Sequence, residues 1–124
     1  HALHGLGLPL WVEEGFTQMM EERVTGLPNF KLDREMMGRQ REKWVEGDLE
    51  RFVAGECFSS AHDDEQELAY HLSQLVVRGW LTREPARFFA FARACREVCS
   101  DTAAREQLGG TEVEVVEAAI RRCG

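Results

Sequence analysis

Apolar residues recur at helical spacing along most of the chain, and no segment shows the two-residue alternation of a half-buried strand. The clearest stretch is Asp64 to Leu81, where Leu68, Leu72, Leu75, Val76 and Gly79 fall on one helical face and Trp80 and Leu81 extend its apolar end. Near the start, Gly5, Gly7 and Pro9 break the pattern. A helix arriving at His1 is therefore expected to end near His4 and to restart with Pro9 in its first turn, where a missing N–H costs nothing. That second helix is expected to run to about Val24, with Val12, Phe16, Met19 and Met20 as its stripe, before a loop over Thr25 to Asn29.

Capping residues divide the rest. Asp33 suits the N-cap of a helix from Arg34 to Glu46, and Asp48 opens a short one through Val53, with Gly55 to Asp63 as a connection. Thr82 is expected to cap a helix with Pro85 in its first turn and Phe88, Phe89, Phe91 and Ala92 on its core face, reaching about Val98. Asp101 caps a shorter segment ending at Leu108, and Thr111 with Glu114 forms a capping box for a last helix to Arg122. The chain reads as all-α, a single compact multi-helix domain.

Composition narrows the function classes. A chain of 124 residues is long enough to bury about two thirds of the surface its unfolded form exposes, so it needs no disulfides to fold. With 44% hydrophobic and 30% charged residues it lies far from the disordered regime. A net charge of -7 without a Lys/Arg cluster argues against a nucleic-acid partner, and no run of membrane-spanning length or apolar signal core argues against a membrane one. Cys57, Cys95, Cys99 and Cys123 form no CxxC and no dense framework, so a reducing, cytoplasmic location is expected. Cys95 and Cys99, four apart on an expected helix, read as reduced and half-buried. Because the chain opens on His and not Met, it is expected to be a piece of a longer protein.

Candidate chemistry concentrates at the second helix. Glu14 lies about 200° round the helix from Val12, off the apolar stripe and beside Trp11, Gln18 and Glu21. Bulky Leu10 and Trp11 near it imply that this face packs on another element, and Gly15 implies a close backbone approach there. A lone glutamate in so acidic a chain otherwise reads as a solvated helix residue. The run Pro9-Leu10-Trp11-Val12-Glu13-Glu14-Gly15, downstream of His1, resembles the P-x-W-x-x-E-G pattern of gluzincin zinc metallopeptidases. In that class a helix bearing HExxH supplies two histidine ligands and the following helix supplies a glutamate. The resemblance covers His1 to Glu22 most strongly and persists more weakly in Glu67-Leu68-Ala69-Tyr70 and Arg78-Gly79-Trp80-Leu81.

The resemblance implies that His1 is the second histidine of HExxH and Glu14 the carboxylate ligand of a catalytic zinc. The first histidine and the general-base glutamate would precede His1, in an upstream part of the same protein. This chain alone is accordingly expected not to bind zinc tightly. His4 is no substitute, being three residues from His1 with no Glu after that first His. The implied activity is hydrolysis of a bond in a peptide or protein substrate by a metal-activated water. Tyr70, the one tyrosine, is either an oxyanion donor, as such enzymes use, or a half-buried residue with its hydroxyl at the surface. His71 and His62 are weaker candidates, and His62 among Asp63, Asp64 and Glu65 reads as solvated. The alternative is a non-catalytic all-helical interaction or scaffold module, including an inactive peptidase relative, in which Trp11, Glu14 and Tyr70 only pack helices.

Overall fold

A computed structural model describes residues 7–26, 33–45 and 47–122. These residues form seven α-helices and no strand: α1 (Leu10–Thr25), α2 (Arg34–Lys43), α3 (Asp48–Val53), α4 (Asp63–Arg83), α5 (Pro85–Ala94), α6 (Ser100–Gln107) and α7 (Glu112–Arg122), with a 3₁₀ turn at Glu56–Ser59. The expected all-α architecture is thus observed. Several boundaries follow from the local chemistry. Asp33 accepts the Met36 N–H at 2.8 Å to start α2. At α7, Thr111 Oγ1 accepts from Glu114 N at 3.2 Å while Glu114 Oε1 accepts from Thr111 N at 2.9 Å, the reciprocal capping box. Gly26, at φ 72°, closes α1 in the left-handed conformation.

Asp101, expected as a cap, is the second residue of α6, whose N-cap is Cys99; its carboxylate accepts the Glu112 N–H instead. Three further boundaries differ from expectation, each because a tertiary contact or a proline outweighs the local pattern. Helix α2 stops at Lys43 and not Glu46, since Trp44 leaves the helix to bury its ring 5.4 Å from that of Phe52 while its indole N–H donates to the Gln40 side-chain oxygen. Thr82 is not a cap: α4 continues through it to Arg83, and the break falls at Glu84 (φ -144°, ψ 66°), the residue that Pro85 bars from helical geometry. The aromatic helix ends at Ala94 and not near Val98. Cys95 turns out of it with Gly7 against its carbonyl oxygen, so close that a Cβ on Gly7 would stand 2.6 Å away. Cys95 and Cys99 consequently share no helix; Cys95 is buried and Cys99 exposed, both as free thiols.

The long helix α4 is the centre of the domain, packing against α1, α2, α5, α7 and the 3₁₀ turn. Its residues Leu72 to Val77 are buried without interruption, so the stripe expected from periodicity widens in mid-helix to the full circumference. Ser73 and Gln74 enter that apolar environment with their polar groups satisfied: Ser73 Oγ donates to the Tyr70 carbonyl at 2.8 Å, and the Gln74 amide donates to the Gln18 side-chain oxygen. The first half of α1 crosses α4 at Gly15. A Cβ built on Gly15 would lie 2.5 Å from Val77 Cγ2 and 2.8 Å from the Ser73 carbonyl oxygen, which is the close approach the sequence implied. Gly15→Ala is expected to lower stability by about 2 kcal/mol, because overpacking against backbone outweighs the gain in helix propensity. Gly38→Ala, on α2 with open space around its Cα, should be neutral or stabilising by up to about 1 kcal/mol. Urea midpoints of the two variants check the contrast.

A second structural anchor lies where α3 meets the start of α4. Glu65, buried at 7% exposure, accepts from Arg51 Nη2 at 2.7 Å and from Lys43 Nζ at 2.6 Å. Hydrogen bonds from Arg51 and then Lys43 hold its carboxyl down to about 2. A folded-state value below the unfolded one means that the ionised group stabilises the fold above the unfolded pKa, and that this contribution is lost as pH falls from about 4.5 through about 2. Acid unfolding of the Glu65→Gln variant is therefore expected to show a shallower dependence over that window, measured by circular dichroism against pH.

Candidate functional site

Five consecutive residues of α1, Trp11 to Gly15, are buried. At about 100° per residue such a run covers every face of the helix, so this end of α1 is inserted into the protein. Trp11 anchors the insertion. Its ring, wholly buried, lies 6.2 to 6.5 Å from those of Phe91, Phe52 and Phe88, and its indole N–H donates to Glu112 Oε1 at 3.0 Å. Glu112 is in turn held by Ser100 Oγ at 2.7 Å and, through its own N–H, by Asp101 Oδ1 at 2.9 Å. Burial pushes the Glu112 carboxyl up, while the Trp11 and Ser100 hydrogen bonds work against that shift. The tryptophan thus fixes the rotation of α1 by one polar bond and three ring contacts, and with it the direction of the residues one turn on.

Glu14, 7% exposed, is one of those residues. Its carboxyl is pushed above the ordinary 4.5 by burial first and then by the neighbouring carboxylates of Glu13 and Glu21. The hydroxyl of Tyr70, on α4, is likewise raised above its ordinary 10, by burial and then by the negative charge of Glu14 and Glu21. Two residues far apart in sequence are therefore brought within electrostatic reach across the α1–α4 contact. Tyr70 is half-buried, its ring edge-on to Phe58 at 5.2 Å. His71, next on α4, has its pKa lowered, chiefly by burial. His62 is exposed at the N-cap of α4, as its acidic surroundings implied.

His1 and His4 lie outside the described residues. Among the described residues no group of three His, Cys, Asp or Glu side chains is disposed to hold a metal ion. What α1 offers is two adjacent buried carboxylates, Glu13 and Glu14, with Glu21 also within electrostatic reach of Glu14. Charge on Glu14 is disfavoured there first by desolvation and then by the Glu13 and Glu21 carboxylates.

Other polar residues of the site carried little signal in the sequence. Glu13 is buried to 1%, and nothing in its sequence position distinguishes it from the exposed Glu21 of the same helix. A polar ladder along the same contact joins Gln18 to Gln74, Gln74 Oε1 to Arg78 Nε at 3.2 Å, and Arg78 Nη2 to Glu22 at 2.8 Å. Its members sit one turn apart on each helix, a spacing that is visible only when the two helices are set side by side. For the Trp11–Glu112 bond the sequence contains no signal, since its partners come from opposite ends of the chain.

No family model, curated protein or solved structure matches the chain. Among the described residues no helix is long and apolar enough to cross a membrane.

Proposed function

We propose that this chain is the C-terminal helical part of a gluzincin-like zinc metallopeptidase and that Glu14 is its carboxylate zinc ligand. The observation that carries the reading is the burial of Glu14 on a helix inserted into the protein, with its carboxyl raised by desolvation and by Glu13 and Glu21. A carboxylate whose charge is disfavoured in this way gains from donating an oxygen to a cation. His1 and a histidine upstream of it would complete the ligand set, with an upstream glutamate as general base. Zinc, when bound, supplies a Lewis acid and a water that is nucleophilic near neutral pH.

The part of this chain in the chemistry follows from its two residues. Glu14 contributes one negative charge to the metal. Tyr70 stays protonated throughout the neutral range, because burial and the Glu14 and Glu21 charges raise its pKa, and so keeps an O–H to donate to the oxyanion that forms on the substrate carbonyl. In the protein carrying the upstream segment, Tyr70→Phe is expected to lower kcat by about 10²-fold with little change in KM, the pattern of an interaction made only in the transition state. Steady-state kinetics on a quenched peptide substrate measures this. An unchanged kcat would return Tyr70 to a packing role.

A second reading, a helical scaffold with no catalysis, is favoured by one specific observation. The ring contacts of Trp11 and its bond to Glu112 give that residue of the P-x-W-x-x-E-G pattern a purely structural use, as the Val77 and Ser73 contacts do for Gly15. The reading frame upstream of His1 separates the two readings: His-Glu and two further residues immediately before His1 support the peptidase, and their absence favours the scaffold.

A further inference from the structure

On a chain of net charge -7, one surface combines exposed apolar side chains with arginines. A groove of about 530 Å³ runs between α1 and α5 over the end of α4, walled by Phe16, Met19 and Met20 on one side and by Leu81 and Phe89 on the other. A second, smaller depression of about 190 Å³ shares Phe89 with it and continues along Leu8 and Ala92. Met20 is 54% exposed and Phe89 46%, and Val24, one turn beyond Met20 on α1, is 80% exposed. Together these are three of the five large apolar side chains exposed among the described residues. Scattered singly they would need no explanation, but Met20 and Phe89 line one groove and Val24 is one turn beyond Met20 on the same helix.

The charge along the groove is one-sided. Arg23 lies at one end, and Arg93 and Arg96 at the other. All three are exposed, and none forms an ion pair among the described residues. Glu22 is the one acid lining either depression, and its carboxylate is already bound to Arg78 at 2.8 Å. Methionine side chains adapt to varied apolar shapes, and a helix laid in such a groove presents apolar anchors three and four residues apart. Carboxylates flanking those anchors would meet the arginines at both ends.

We propose that this groove docks an acidic amphipathic helix of a partner protein. The complementary charge is what selects that occupant: a second copy of this chain would bring a net negative body to the same arginines, but its described apolar residues with acidic flanks are already committed to the core, as in α7, where Val115, Val116, Ala119 and Ile120 are buried. The inference does not depend on Glu14 or on zinc, and it stands under either reading of the function.

The test uses the whole chain and a displayed library of random peptides of about 16 residues, long enough for four helical turns. The expected result is enrichment of peptides with Leu, Phe or Met at i, i+3 or i+4, and i+7, flanked by Asp or Glu. An enriched peptide, synthesised with a fluorescent label, should bind with an affinity that falls at least ~10-fold in the Arg93→Glu/Arg96→Glu double variant and in Phe89→Ser, and that weakens with added salt. The altered positions are exposed or half-exposed, and circular dichroism verifies that each variant folds. Failure to enrich any peptide overturns the proposal, as does enrichment of peptides without acidic residues or an affinity that both variants leave unchanged. Sedimentation of the chain with phosphatidylserine vesicles in place of peptide binding would reassign the face to a membrane surface. Self-association abolished by Phe89→Ser would reassign it to a second copy.

Discussion

Trp11→Ala lowers the free energy of unfolding by about 4 kcal/mol, the cost of deleting a fully buried large aromatic side chain. Three effects add in the same direction. The contacts with Phe52, Phe88 and Phe91 are lost, a cavity opens at the junction of α1 with α3 and α5, and Glu112 loses the indole N–H that partly offsets its burial. Stability of about 5–15 kcal/mol is usual for a domain, so the variant is expected to be partly unfolded at moderate temperature. Trp11→Phe separates the contributions. It keeps a six-membered ring in the aromatic cluster while losing the hydrogen bond and the volume of the indole's second ring, for a loss of about 1–3 kcal/mol. Urea unfolding followed by circular dichroism measures both, and a loss below about 1 kcal/mol for Trp11→Ala would remove Trp11 from its place as the anchor of α1.

Glu14→Gln has the opposite profile, with a large effect on activity and none of that cost in stability. In the protein carrying the upstream segment, loss of a charged zinc ligand is expected to lower kcat/KM by at least ~10³-fold, the kinetic equivalent of several kcal/mol of transition-state stabilisation. Stability moves the other way. Because the folded-state pKa of Glu14 lies above its ordinary 4.5, its contribution is fully present below that pH and is lost as pH rises through the higher folded value. In the presence of a chelator the wild-type chain should therefore lose stability relative to Glu14→Gln between acid and neutral pH. Thermal unfolding of both proteins at pH 4 and pH 7 tests the sign. A residue whose removal stabilises the fold while eliminating activity is held in place for function.

Much of the fold is legible in the sequence because its signals are local. Pro9, Asp33, Asp48 and the Thr111/Glu114 box mark helix starts by chemistry confined to one turn, and they lie at or within one residue of the observed starts. The misplaced boundaries have causes outside the local pattern. Trp44 ends α2 by leaving for the core, Gly7 meets the chain where α5 stops, and Thr82 is a plausible cap overridden by the restriction that Pro85 places on Glu84. The same division holds at the candidate site. Gly15 and the bulky Leu10 and Trp11 announced that α1 packs closely on another helix, and Glu14 was marked by the pattern around it. Glu13, Glu112 and the Gln18–Gln74 pair became visible only through packing, because burial and pairing across helices are properties of the assembled fold.

The most direct test of the claim that Glu14 is a zinc ligand is the zinc content of the protein carrying the segment upstream of His1, purified in parallel as wild type, Glu14→Ala and Glu21→Gln. Glu21 is exposed and shares the negative field around Glu14 without belonging to the proposed ligand set. Elemental analysis is expected to find one zinc per chain in the wild type and in Glu21→Gln and almost none in Glu14→Ala. Stoichiometric zinc in a folded Glu14→Ala variant, or none in the wild type, would contradict the account.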